Sequence, residues 1–248
     1  MASATKWGVF DSGLGGLTVL RSLALQFPNE NFVYLGDTAR VPYGGKSAAT
    51  IRHYSHQILE DLLQHQVKGL IVACNTASAF LTENEFKGIP LLKVIAPGST
   101  AALQTTVNNH IGIIGTRATI ESRAYELALK EKNPDVKVFV QECPLFVPLV
   151  EEGWIEDPLT NLIVFRYLQP LLQSGMDTLI LGCTHYPMLK ANIQKAVGNE
   201  VTLVESGDAL AAEMMNRWPE IGKHVGPVSA SASASASASA SASASASA

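Results

Sequence analysis

The sequence predicts an α/β protein made of two similar parallel-sheet lobes, with a functional site in the cleft between them. Three observations carry that prediction. Short apolar runs alternate with helix-compatible stretches along nearly the whole chain, the order expected of parallel strands joined by right-handed crossovers. Two of these runs, Gly69 to Ala73 and Thr178 to Leu181, end in a cysteine followed by small polar residues: Cys74-Asn75-Thr76 and Cys183-Thr184-His185. The strand and glycine turn at the amino end recur, loosely, near Gly115 and Thr116. Together they suggest a first lobe of residues 1–97 plus 207–228 and a second of residues 98–206.

In chain order, Trp7 to Phe10 reads as a strand, Asp11-Ser12-Gly13-Leu14-Gly15-Gly16 as a sharp turn that can approach a ligand closely, and the stretch through Leu25 as an amphipathic helix. Asp11, at a strand's carboxyl end, either handles a proton or an ammonium group, or it caps the helix with Ser12. A second strand, Asn31 to Leu35, leads into a polar loop, Gly36 to Ser47, with Tyr43 offering a hydroxyl and Gly44 a bare N–H. Within it, Asp37 and Arg40 suit a structural ion pair, and Ser47 suits the cap of a helix through Leu63.

Beyond Cys74 a helix is expected to about Phe86, then a strand from Ile89 to Ile95 and a hinge at Ala96-Pro97-Gly98. A helix through Val107 precedes the strand Ile111 to Gly115. Thr119 opens a helix to Lys132; it and Thr116 are candidates for either ligand contact or capping. Val136 to Glu142 is a strand running into Cys143-Pro144, where proline denies the thiol a helix-start cradle, so Cys143 reads as a small buried residue. Glu151 and Glu152 follow as a carboxylate pair. A helix from Pro158 to Ser174 delivers the chain to the Cys183 strand. A helix to Val197, a strand from Val201 to Glu205 and a helix through Trp218 complete the pattern. The strict Ser-Ala alternation from Ser229 to Ala248 builds no core and reads as linker, scar or placeholder sequence.

Composition narrows the function. With a net charge of −4, evenly spread, the chain lacks the basic stripe that nucleic-acid partners need, and no apolar run is long enough for a bilayer. No signal-peptide or transit pattern is seen at the amino end, so a cytoplasmic location is expected. Three cysteines in no metal-ligand or C-x-x-C spacing read as free thiols, and no metal is expected. Helix starts at strand ends supply N–H groups for an anion and lower a thiol's pKa, so the two strand-end cysteines point to one shared ligand.

Five segments, DSGLGGLTVL, GDTARVPYG, VACNTAS, CPLFVPLVEEG and LGCTHYPML, lie in register from Asp11 to Leu189. In this order and spacing they resemble the glutamate racemase family, within the aspartate/glutamate racemases. The resemblance implies racemisation of L- and D-glutamate without a cofactor, supplying D-glutamate for peptidoglycan. Two thiols on opposite faces of one α-carbon exchange its proton: by the family pattern Cys74 acts on D-glutamate and Cys183 on L-glutamate. Asp11 then assists the first thiol, and His185 and Glu152 the second. Asp11 and Ser12 would hold the ammonium group, Asn75, Thr76 and Thr184 the α-carboxylate, and Tyr43 and Gly44 the side-chain carboxylate, with Thr119 and His185 as further substrate contacts. A homodimer is expected. The rival readings are an aspartate-specific racemase, a non-catalytic amino-acid sensor or gyrase inhibitor, and a redox dithiol that cross-links Cys74 to Cys183.

Overall fold

A computed structural model describes residues 6–221; the Ser-Ala stretch and the end of the expected first lobe, residues 222–228, lie outside the described residues. The first half of the chain runs β1 (Lys6–Asp11), α1 (Leu17–Gln26), β2 (Asn31–Gly36), α2 (Ala48–Leu63), β3 (Val67–Val72), α3 (Asn75–Phe80), β4 (Glu85–Phe86), β5 (Ile89–Lys93) and α4 (Ile95–Thr105). Its strands form one sheet in the order β2-β1-β3-β5-β4, parallel except for the short edge strand β4. The second half runs β6 (His110–Gly115), α5 (Arg117–Glu121), α6 (Ala124–Lys132), β7 (Lys137–Glu142), α7 (Phe146–Glu151), α8 (Pro158–Leu172) and β8 (Thr178–Gly182). After a 3₁₀ turn (Tyr186–Leu189) come α9 (Lys190–Val197), β9 (Thr202–Glu205) and α10 (Ser206–Arg217). Its sheet is fully parallel, in the order β7-β6-β8-β9.

The central strands are buried on both faces, which is why β3 and β8 read as unbroken apolar runs rather than alternating ones. Trp7, Val9, Val19 and Leu23 pack with Leu210, Ala211 and Met214 of α10, so the last helix, although it follows a second-sheet strand, covers the first sheet. A Cβ at Gly69 would stand 2.2 Å from the Trp7 ring, so the indole fills space that only glycine leaves open.

Several boundaries differ from expectation. The helix after Cys74 ends at Phe80 instead of Phe86, and the ammonium group of Lys93 takes up the carbonyls of Leu81 and Glu83 at 2.9 and 2.7 Å. The expected hinge at Ala96-Pro97-Gly98 is the first turn of α4. Proline fits there because its missing N–H has no intrahelical partner to lose, and Gly98 leaves room for the ring of Tyr125. The helix expected from Thr119 to Lys132 is two helices, broken at Arg123, whose φ of 56° is left-handed. Ser47 caps α2 through the Thr50 N–H, and Arg40 pairs with Asp37 at 2.7 Å, as the residues suggested.

Candidate active site

The carboxyl ends of the two sheets face each other across a cavity of about 280 Å³. Cys74 and Cys183 both line it, one from each sheet. Ser12, Tyr43, Gly44, Asn75 and Thr76 join Cys74 on the first side, and Thr116, Glu151, Thr184 and His185 join Cys183 on the second. Pro144, Val147 and Pro148 add an apolar wall that the sequence reading missed.

Cys74 leaves β3 in extended conformation and caps α3. Its sulfur accepts the Ala77 N–H at 3.4 Å, and its S–H donates to Ser12 Oγ at 3.3 Å. The helix N–H favours a thiolate, but burial opposes it more strongly, and the Asp11 carboxylate adds to the opposition. The thiol is pushed up to about 11. Burial also drives Cys183 upward, and negative charge on Cys74 and Asp11 pushes it further. Cys183 therefore lies within the electrostatic reach of Cys74.

The two thiols differ in what stands beside them. Cys183 Sγ is 3.9 Å from His185 Nδ1, and His185 Nε2 lies 3.1 Å from Glu151 Oε1, giving a thiol, imidazole and carboxylate in line. Expectation gave this carboxylate role to Glu152. The carboxylate that contacts the imidazole is Glu151; Glu152 follows the last residue of α7, is exposed and does not line the cavity. The local sequence held the signal. Phe146, Leu149 and Val150 bury the core face of α7, and at about 100° per residue Glu151 falls between Val147 and Pro148 on the opposite face, with Glu152 turned a further step away.

Asp11 is fully buried beneath Ser12 and off the cavity wall. It accepts the Gly13 N–H at 2.9 Å and the Thr184 hydroxyl at 3.3 Å, and burial raises its carboxyl above the usual range despite these bonds. The glycine turn that follows meets the other lobe rather than open space. A Cβ at Gly15 would stand 2.4 Å from His185 Nδ1 and 2.5 Å from Thr184 Oγ1, and Thr18 donates to the Thr184 carbonyl at 2.9 Å.

Tyr43 donates its hydroxyl to Asp37 at 2.6 Å and is buried, so the hydroxyl that the sequence offered to a ligand is committed to the loop. Gly44 packs against Thr116, and its carbonyl accepts the Ala118 N–H at 3.0 Å, fastening the loop to the second lobe. Thr76, Thr116 and Thr119 form a triangle of hydroxyls 2.9 to 3.0 Å apart. Thr116 also caps α5, while Thr119 stands behind the other two and off the cavity wall. The Asn75 amide points away from the cavity, donating to Tyr125 and Ser206.

The profile of the Asp/Glu/Hydantoin racemase family matches residues 16–214. The chain belongs to this family. It is 53% identical over 209 residues to the glutamate racemase of Neisseria meningitidis serogroup A, an alignment spanning 83% of this chain and 77% of that one. Among solved racemases, a glutamate racemase isoform of Bacillus anthracis matches with a TM-score of 0.82 at 38% identity, over 87% of this chain and 82% of the other. The glutamate racemase of Francisella tularensis, solved in complex with D-glutamate, matches with a TM-score of 0.80 at 39% identity, over 88% and 82%. The racemase fold thus accounts for both sheets and for the facing strand ends. Among the described residues, no group of three metal-ligating side chains is gathered and no helix is long and apolar enough to cross a membrane.

Proposed function

We propose that this protein interconverts L- and D-glutamate by passing the α-proton between two cysteines, drawing on no cofactor. The observation that carries the reading is the pair of thiols lining one small cavity, one from each lobe. An α-proton is hard to remove when no conjugated group absorbs the carbanion's charge, so inversion needs a base on one face of the carbon and an acid within reach of the other. A thiol suits both roles, because its ordinary pKa near 8.5 can be moved either way by its surroundings.

In this reading Cys183 abstracts the proton of L-glutamate while Cys74 delivers its own to the opposite face, and the roles reverse for D-glutamate. Both thiols are held protonated by burial in the free protein, so each needs a proton acceptor before it can act. His185, backed by Glu151, serves Cys183; Asp11, with Ser12 beside the sulfur, serves Cys74. The substrate ammonium group, entering beside Ser12, would favour either thiolate through its positive charge. Backbone N–H groups at the starts of α3 and of the turn after Cys183, with the hydroxyls of Thr76 and Thr184, suit the α-carboxylate. The Tyr43–Gly44 loop suits the side-chain carboxylate through its backbone. Thr119 supports this pocket from behind, through Thr76 and Thr116. Lobe limits at Pro97 and Ser206, a homodimeric state, a cytoplasmic location and delivery of D-glutamate to peptidoglycan complete the proposal.

The test is circular dichroism with each enantiomer of glutamate and of aspartate. Rotation should decay to zero with glutamate from either side and stay constant with aspartate; decay with aspartate alone would replace the substrate assignment. Growth of a D-glutamate auxotroph carrying this gene tests the peptidoglycan role.

A further inference from the structure

The mechanism leaves unused a buried polar cluster behind the cavity. Asn75 directly follows Cys74, and its side-chain N–H groups donate to the hydroxyl of Tyr125 on α6 and to Ser206 Oγ at the start of α10, both at 2.8 Å. Ser206 Oγ in turn donates to the Leu181 carbonyl at 3.5 Å, two residues before Cys183. The Tyr125 ring lies between the other pieces: a Cβ at Gly98 or at Gly182 would stand 3.2 or 3.3 Å from it. Gly182 is the residue immediately before Cys183. One chain of hydrogen bonds and one ring therefore connect the backbone after the first thiol to the backbone before the second. Each of the three side chains is at least nine-tenths buried, and the Asn75 carbonyl has no hydrogen-bond partner, so the amide is held from its donor side alone.

We propose that Tyr125 and Ser206 are positioning residues, a strut that sets the separation and facing of Cys74 and Cys183, on the reading of the two as opposed bases. The strut touches neither substrate nor the reacting atoms. Its effect follows from geometry, since both faces of one carbon must be within reach at once, and a shift of about 1 Å at a reacting group costs on the order of a hundredfold in rate. Burial also keeps the Tyr125 hydroxyl protonated, pushed up to about 12, so it holds its hydrogen bond with Asn75 across the working pH range.

The experiment uses Tyr125→Phe, which keeps the ring and removes the hydroxyl, and Ser206→Ala as a second variant, both assayed in D₂O well below their melting temperatures. The expected result is a fall in kcat of about tenfold in both directions with KM changed by less than about twofold. A second signature accompanies it. Abstraction proceeds while delivery from the far face fails, so deuterium accumulates in the unreacted enantiomer faster, relative to inversion, than in the parent. A merely structural role would lower the melting temperature and leave that ratio unchanged. Parent-like kcat and ratio in both variants would remove the strut while leaving the two-thiol reading intact. A parent chain that neither racemises glutamate nor exchanges its α-proton would remove both.

Discussion

The two half-sites share a plan and differ in what surrounds each thiol. In each, an apolar parallel strand ends in cysteine, and small polar residues turn the chain toward a helix. Cys74 then caps a true α-helix and receives an N–H from it, with a buried carboxylate and a serine nearby. Cys183 instead enters a 3₁₀ turn and stands beside an imidazole backed by a half-exposed glutamate. Repetition of a strand end thus supplies two sulfurs, and the surroundings differ: a helix N–H and Ser12 beside Cys74, an imidazole beside Cys183. On the proposed two-thiol reading, symmetry places the reacting groups whereas asymmetry sets their protonation.

The largest expected effect comes from erasing either sulfur. Cys74→Ser and Cys183→Ser should each lower racemisation by about a thousandfold, within the range for losing a positioned acid or base. The symmetric part of the comparison breaks if either variant keeps parental rates. Solvent-deuterium exchange should separate them: Cys183→Ser retains more exchange from D-glutamate, and Cys74→Ser more from L-glutamate.

A smaller effect should expose the asymmetry. Glu151→Gln is expected to lower kcat/KM about tenfold, most strongly for abstraction from L-glutamate, while Glu152→Gln stays within about twofold of the parent. Equal loss in both variants would cancel the assignment of the imidazole's partner.

Alkaline titration sharpens the contrast further. Cys74 is raised from 9.0 to about 11, and its buried neutral form contributes stability that is fully present below pH 9 and lost as pH climbs toward 11. The melting temperature should therefore fall across that window, and Cys74→Ala should flatten part of the fall. Alkylation of Cys74 in the free protein should likewise accelerate up to about pH 11 rather than level off near that of an exposed thiol. The smallest effect concerns the loop: Tyr43→Phe, which strips the hydroxyl from Asp37, should cost about 1–2 kcal/mol of stability and leave kcat near the parental value in a racemisation assay.

Much of this is legible in the sequence. Strand-end cysteines stand out because buried parallel strands carry long apolar runs, and a break into Cys-Asn-Thr or Cys-Thr-His is abrupt. The choice between Glu151 and Glu152 was recoverable from the three-and-four spacing of Phe146, Leu149 and Val150, although adjacent carboxylates look alike until the core face is fixed. The Pro97-Gly98 pair misled because turn chemistry and a helix's first turn tolerate the same residues. The hydroxyl of Tyr43 and the amide of Asn75 could not be assigned from sequence at all. Their partners, Asp37 in one case and Tyr125 with Ser206 in the other, depend on where distant backbone comes to rest.

Gly15 has a consequence for how far the halves of the molecule can approach. Its missing side chain is the space that the His185 ring and the Thr184 hydroxyl occupy. A single methyl group at this point would act as a doorstop, wedged under the imidazole from the opposite half. The closeness of the two halves at this point thus depends on a backbone position that carries no side chain.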